Sequence, residues 1–260
     1  MTRESDSIAK RLETKINYKI IAMMVAFTIA YYLYGYLNQD YVKEKFTVLN
    51  IIPFLTTPLG VGIAGIIVAK RYWKTEIFGK AYLSLGIAYI LWWLGSSLYE
   101  YYDLIEIDPY PSIADVFFIA MFPFLYYHII LNTKPFYNRI KKYAKVSVWI
   151  IAVALVILYT SMTLPEGTSY DLDFFISEIT IVIEAVLLAL VILGALVFRD
   201  TALGNVWVLL VIGLGLFSFA DYWYYYTGDE LYDKTHPSNA IWNLSFMILI
   251  YALYKHNKAI

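Results

Sequence analysis

The chain has 260 residues, 60% of them hydrophobic and 16% charged, with a formal net charge of −1 and no cysteine. That balance excludes a soluble globular chain and any global field that would draw in nucleic acid. Without cysteine there is no disulfide, thiol nucleophile, thiolate metal site or iron–sulfur cluster.

Residues 1–17 are polar and basic, and they run directly into the first apolar stretch, so no cleavable signal peptide is expected. Within them Ile8, Leu12 and Ile16 alternate with Lys10, Arg11 and Lys15. That pattern suits either a short helix lying on an anionic inner leaflet or a polar tail. Apolar segments then follow at roughly 18–37, 48–69, 81–102, 112–131, 146–164, 173–198, 205–226 and 238–254. Each approaches the roughly 20 residues that a helix needs to cross about 30 Å of hydrocarbon. The connections are short, so no soluble domain is inserted. Twenty-six tyrosines suit a chain with extensive membrane interfaces.

Charge gives the orientation. Of the 20 Lys and Arg, only Lys43, Lys45 and Lys234 fall in loops on the side opposite the N-terminus. This is the positive-inside bias, and it predicts eight spans with both termini cytoplasmic. Acids are skewed the other way, including Asp40, Glu44, Glu100, Asp103, Glu106, Asp108, Glu166, Asp171, Asp173, Asp229, Glu230 and Asp233. That excess reads either as solvation of the outer loops or as a mouth that attracts cations or amines.

An internal repeat is visible. Gly79 aligns with Gly204, Tyr82 with Trp207, Gly95 with Ala220, Tyr99 with Tyr224, and, after one inserted residue, Pro111-Ser112 with Pro237-Ser238. Four helices per copy is an even number, so the copies would be parallel, related by an axis along the membrane normal. Helices 3, 4, 7 and 8 would line their interface, with helices 2 and 6 beside them. The expected organisation is a basic segment at 1–17, four-helix repeats at 18–142 and 143–254, and a cytoplasmic tail at 255–260.

Four acids fall within predicted spans, and buried acids in a bilayer usually mark function. Asp115 follows Ser112 at capping-box spacing, which also explains it as a helix start. Asp221 is followed by Tyr224 and Tyr225, whose hydroxyls share its face, with either a structural or a ligand role. In helix 6, Asp173, Ser177, Thr180 and Glu184 form one polar stripe. Glu184 sits near mid-depth with no Lys or Arg in the core of any span, so it is either protonated or bound to something positive. Glu178 lies about 100° round from Ser177 and suits the outer rim. Pro53 and Pro58 in helix 2 and Pro123 in helix 4 invite bends, and Gly65 with Ala69 allows close helix approach.

Catalytic signatures are lacking. There is no HExxH, GxSxG, P-loop or dinucleotide-binding glycine motif, so no enzyme, cofactor or metal is expected. His128 reads as the only histidine inside a span, which leaves no bis-histidine haem site in the bilayer.

The helix end Trp93-Leu94-Gly95, its Tyr-rich continuation, and Tyr110-Pro111-Ser112-Ile113-Ala114-Asp115-Val116-Phe117-Phe118 form a recognisable pattern. It resembles the multispan sensor modules that precede GGDEF, EAL or histidine-kinase domains, over about residues 86–128. Phe118 stands where that pattern often has Tyr. The resemblance implies an integral-membrane sensory role. No output domain follows the last span, so the signal would pass to a separate partner.

The expected fold is thus an all-α, eight-span bundle in the cell membrane. The leading function is non-enzymatic ligand binding and sensing through an outward-facing acidic and aromatic pocket. Its residues are Glu184, Glu178, Asp221, Asp115, Tyr99, Tyr224, Tyr225, Thr180 and Ser177. Its ligand would be a cation or amine at the outer face, and its partners the bilayer and a membrane protein or oligomer, without nucleic acid. Two alternatives stand beside this: a small cation- or proton-coupled transporter or channel, and a structural subunit of a membrane complex.

Overall fold

A computed structural model describes residues 15–38, 48–75, 77–107, 112–164, 172–201, 203–227 and 236–258. Most of the basic N-terminal segment, Lys43, Lys45, Lys234 and Tyr110-Pro111 lie outside the described residues. So do Asp40, Glu44, Asp108, Glu166, Asp171, Asp229, Glu230, Asp233 and the side chain of Asp173.

The described chain is helical. In order the helices are α1 (Tyr18–Leu37), α2 (Val48–Arg71), α3 (Phe78–Leu104), α4 (Ile113–Thr133), α5 (Lys142–Thr163), α6 (Leu172–Phe198), α7 (Gly204–Thr227) and α8 (Pro237–Lys258). A short 3-10 turn, Lys134–Arg139, follows α4. Helices extend past their apolar runs: α3 starts at Phe78, α5 at Lys142, and α8 continues to Lys258.

Seven helices, α1 to α7, are long and apolar enough to cross a membrane, which makes this a multi-pass membrane architecture. The eighth expected span, α8, falls short of that measure. The reason is its position. Ser238, Asn243 and Ser245 are buried, so α8 turns polar side chains toward other helices, where a lipid-facing helix would need apolar ones.

Six helices close a ring. α2 packs on α3, α3 on α4, α4 on α6, α6 on α7, α7 on α8, and α8 returns to α2. α1 rests outside on α8, and α5 outside on α6 and α7. Small residues permit the closest approach. A Cβ on Gly65 would lie 2.9 Å from the Gly86 backbone, and one on Gly86 2.9 Å from the Gly62 carbonyl, so α2 and α3 meet backbone to backbone. The Trp207 ring occupies the space that a side chain would take at Gly194, locking α7 to α6.

Aromatic rings fill the ring's centre. Trp92 of α3 meets Phe217 of α7 at 4.9 Å and Phe246 of α8 at 6.1 Å, and His128 of α4 stacks on Trp207 at 6.2 Å. Rings from α3, α4, α7 and α8 therefore meet at the centre. One end of the bundle is basic. There Arg71, ending α2, reaches Asn257 of α8, and Arg139 lies over the Phe136 ring.

Candidate functional site

The chemistry of the interior starts with Glu184, near the middle of α6. Its residue is fully buried, and no hydrogen-bond donor meets either carboxyl oxygen. The carboxyl of Asp221 and the hydroxyl of Ser218, both from α7, lie beside it. Asp221 is itself buried, and the indole N–H of Trp242 donates to its Oδ1 at 2.7 Å. Three helices thus build the centre: α6 brings Glu184, α7 brings Asp221 and Ser218 one turn apart, and α8 brings Trp242. The rotation of α6 against α7 decides it, because only one face of each helix carries these groups.

Tyrosines surround the acids. Tyr89 of α3 and Tyr225 of α7 stand within electrostatic reach of both carboxyls, and Tyr126 of α4 within reach of Glu184. Each has a distinct anchor. The Tyr126 hydroxyl donates to the Ile183 carbonyl at 2.5 Å, pinning α4 to α6 beside Glu184. Tyr225 pairs with Thr180, while the Tyr89 hydroxyl is buried with no partner. Two close carboxyls in low dielectric repel if both are ionised, so the pair favours one shared proton or one bound cation. The site is occluded, since Glu184 is 0% and Asp221 6% exposed.

The other expected site residues are distributed round this centre. Thr180 lies one turn before Glu184 on α6, its hydroxyl also bonding back to the Ile176 carbonyl at 2.8 Å. Ser177 turns to Tyr159 of α5. Glu178 faces α5 as well, accepting from the Thr160 hydroxyl at 2.8 Å across the α5–α6 contact. Tyr224 packs on Trp242 at 5.8 Å, in contact with the site through that indole.

Asp115 is used at the start of α4. Its carboxylate accepts from the Ser112 N–H at 2.7 Å, while the Ser112 hydroxyl accepts from the Ala114 N–H, which completes the capping box. The Tyr99 hydroxyl donates to its second oxygen at 2.7 Å, tying the end of α3 to that cap. Tyr99 and Asp115 therefore form a hairpin clasp. A line of rings, Tyr99 to Phe118 to Trp92 to Trp242, connects it with Asp221. The start of α8 differs. α8 opens on Pro237, and Ser238 in its first turn bonds the His236 ring at 2.7 Å, so Ser238 is not the cap that Ser112 is.

Ser218, Trp242, Tyr89 and Tyr126 were not anticipated. Ser218 had a signal, standing three residues before Asp221 on the same helical face. Trp242 and the two tyrosines reach the acids only through helix packing. His256 corrects a further expectation. It lies in α8, fully buried, so His128 is not the only interior histidine. The apolar run stops near Tyr254, but the helix continues because its last turn is packed against Tyr72 and Phe78.

Among the described residues no group of three or more His, Cys, Asp or Glu forms a metal cluster. No family model, curated protein or solved structure matches this chain.

Proposed function

We propose that this is a multispan membrane protein that binds a cation at the Glu184–Asp221 pair in a sensory, ligand-binding role. One observation carries the reading: two adjoining buried carboxyls, with no donor on Glu184, in a bundle whose helix cores hold no Lys or Arg. A proton, a small metal cation or an ammonium group would each neutralise the pair. Occupancy would change the repulsion between α6 and α7 and hence their packing, the differential interaction that a switch needs. Trp242 and the ring line to Tyr99 would carry that change toward the α3–α4 hairpin. The likeness of residues 86–128 to sensor modules supports this role, with the signal passing to a separate protein.

The reading includes eight crossing helices with cytoplasmic termini and an ancestral duplication. The basic end formed by Arg71, Arg139 and Lys255 supports the orientation. Three sets of features support the duplication. The contacts α2–α3, α3–α4 and α4–α6 are matched by α6–α7, α7–α8 and α8–α2. The loops before α3 and α7 share one hydrogen-bond scheme: the Thr75 hydroxyl donates to the Tyr72 carbonyl at 2.8 Å, and that of Thr201 to the Phe198 carbonyl at 2.8 Å. Finally, Trp92 and Phe217, partners in the alignment that pairs Gly79 with Gly204, touch each other as residues flanking a two-fold axis would.

A second reading, a cation- or proton-coupled transporter, is favoured by the partnerless Tyr89 hydroxyl inward of the pair. Two measurements test these readings. Thermal-shift titration with sodium, calcium and alkyl ammonium ions should show stabilisation that Glu184→Gln and Asp221→Asn both remove; unchanged shifts in both variants would falsify the site. Ion flux in proteoliposomes, lost in Glu184→Gln, would favour transport over sensing.

A further inference from the structure

A second set of buried polar groups lies at the basic end of the bundle, away from the acids. Tyr82 of α3 is fully buried, its ring 4.8 Å from His128 of α4 and 4.3 Å from His256 of α8. Trp207 of α7 closes the cluster by stacking on His128. Much of its hydrogen-bonding capacity points inward unused. The Tyr82 hydroxyl, Nε2 of His128, both ring nitrogens of His256 and Nε1 of Trp207 are buried with no partner. His128 is held in place, since its Nδ1 bonds the Ala81 carbonyl at 2.9 Å. When Nδ1 carries the proton, Nε2 presents a lone pair to the interior.

Buried polar groups without partners are costly, and a cluster of mixed donors and acceptors suits bridging water. The next partnerless hydroxyl along α3 is that of Tyr89, two helical turns or about 10 Å further from the basic end. Tyr89 stands within electrostatic reach of Glu184 and Asp221. Imidazoles, phenols and carboxyls that accept and release protons therefore follow one another from the basic end to the acid pair.

We propose that His128, His256 and Tyr82 form the proton entrance by which the Glu184–Asp221 pair exchanges protons with water at the basic face. This rests on the reading of the pair as the ion-binding site. Each step passes one proton from an N–H or O–H to the lone pair of a bridging water and on to the next group, since none of these polar atoms bonds another directly, and no electron changes hands. The other groups set against His256 are Tyr72, whose ring lies at 5.2 Å, and the Arg71 guanidinium, whose positive charge opposes a second charge there.

The test is kinetic, on the whole protein in nanodiscs. A pH jump from a caged proton is followed by the infrared carbonyl stretch of the protonated pair, identified as the band lost in Glu184→Gln. Tyr82→Phe keeps the ring packing, and a His128→Gln/His256→Gln double variant removes both imidazoles. We expect the band to reach its wild-type amplitude in each, but roughly a hundredfold more slowly, the lower end of what a positioned proton-transfer group contributes. If the double variant does not fold, Tyr82→Phe alone decides. Unchanged rates in the folded variants, with the band present, overturn the entrance and leave the acid pair standing. No band lost in Glu184→Gln removes the acid pair as a proton site, and the entrance with it.

Discussion

Trp242 donates its indole N–H to Asp221 across the α7–α8 contact, while Glu184, beside that carboxyl, receives no donor. The two acids are therefore not equivalent. Asp221 is the anchored member, oriented by α8, and Glu184, with the Ser218 hydroxyl and the Asp221 carboxyl beside it, has no such anchor. Trp242→Phe keeps much of the ring volume and strips the donor, so it should destabilise the protein by about 1–3 kcal/mol in detergent unfolding. In an Asp221→Ala background the same change should cost measurably less, because the bond is already gone. A double-mutant cycle that came out additive would show that the indole is only packing.

Glu184→Gln preserves shape and removes the charge. If a cation binds at the pair, wild-type stability rises with its concentration, by about 2.7 kcal/mol at about 100 times Kd. The glutamine variant should give a flat line over the same titration. Wild-type and variant curves that rise together would place the cation elsewhere.

How much of this was legible beforehand divides along physical lines. The helices were legible, because apolar runs of bilayer length announce themselves. The Asp115 cap was legible too, since Ser112 and Asp115 stand at capping-box spacing. Glu184 and Asp221 were each conspicuous as acids in apolar helices, but their meeting depends on how α6 and α7 are rotated, and periodicity in one helix does not give the rotation of its neighbour. Trp242 and Tyr126 were hidden for the same reason. α8 misled in both directions. Its buried Ser238, Asn243 and Ser245 make it less apolar than its neighbours, and its burial carries the helix on to His256, past the end of the hydrophobic run.

The clasp between α3 and α4 offers a control on the site. Asp115→Ala removes the capping box and the Tyr99 bond together, and should cost about 1–2 kcal/mol. It should leave the cation dependence of stability intact, since Asp115 serves the start of α4. Tyr99→Phe loses only the hydroxyl bond and should cost about 0.5–1.5 kcal/mol. Loss of cation response in Asp115→Ala would instead join the clasp to the site through the Phe118–Trp92–Trp242 rings.

The tightest packing claim concerns Gly86. In lipid, helices gain little by hiding apolar surface from one another, so the α2–α3 contact depends on how closely the backbones approach. A Cβ at Gly86 would stand 2.9 Å from the Gly62 carbonyl oxygen and 3.1 Å from the Ile66 nitrogen. Both are backbone atoms, which cannot rotate aside as a side-chain end would. Gly86→Ala must therefore push the helices apart, and should destabilise by about 1–3 kcal/mol despite the better helix propensity of alanine. Gly35 in α1 supplies the comparison, because nothing lies within 4 Å of a Cβ built there. Gly35→Ala should leave stability unchanged or raise it by up to about 1 kcal/mol. Equal effects at the two positions would mean that α2 and α3 do not meet at Gly62, Gly65 and Gly86.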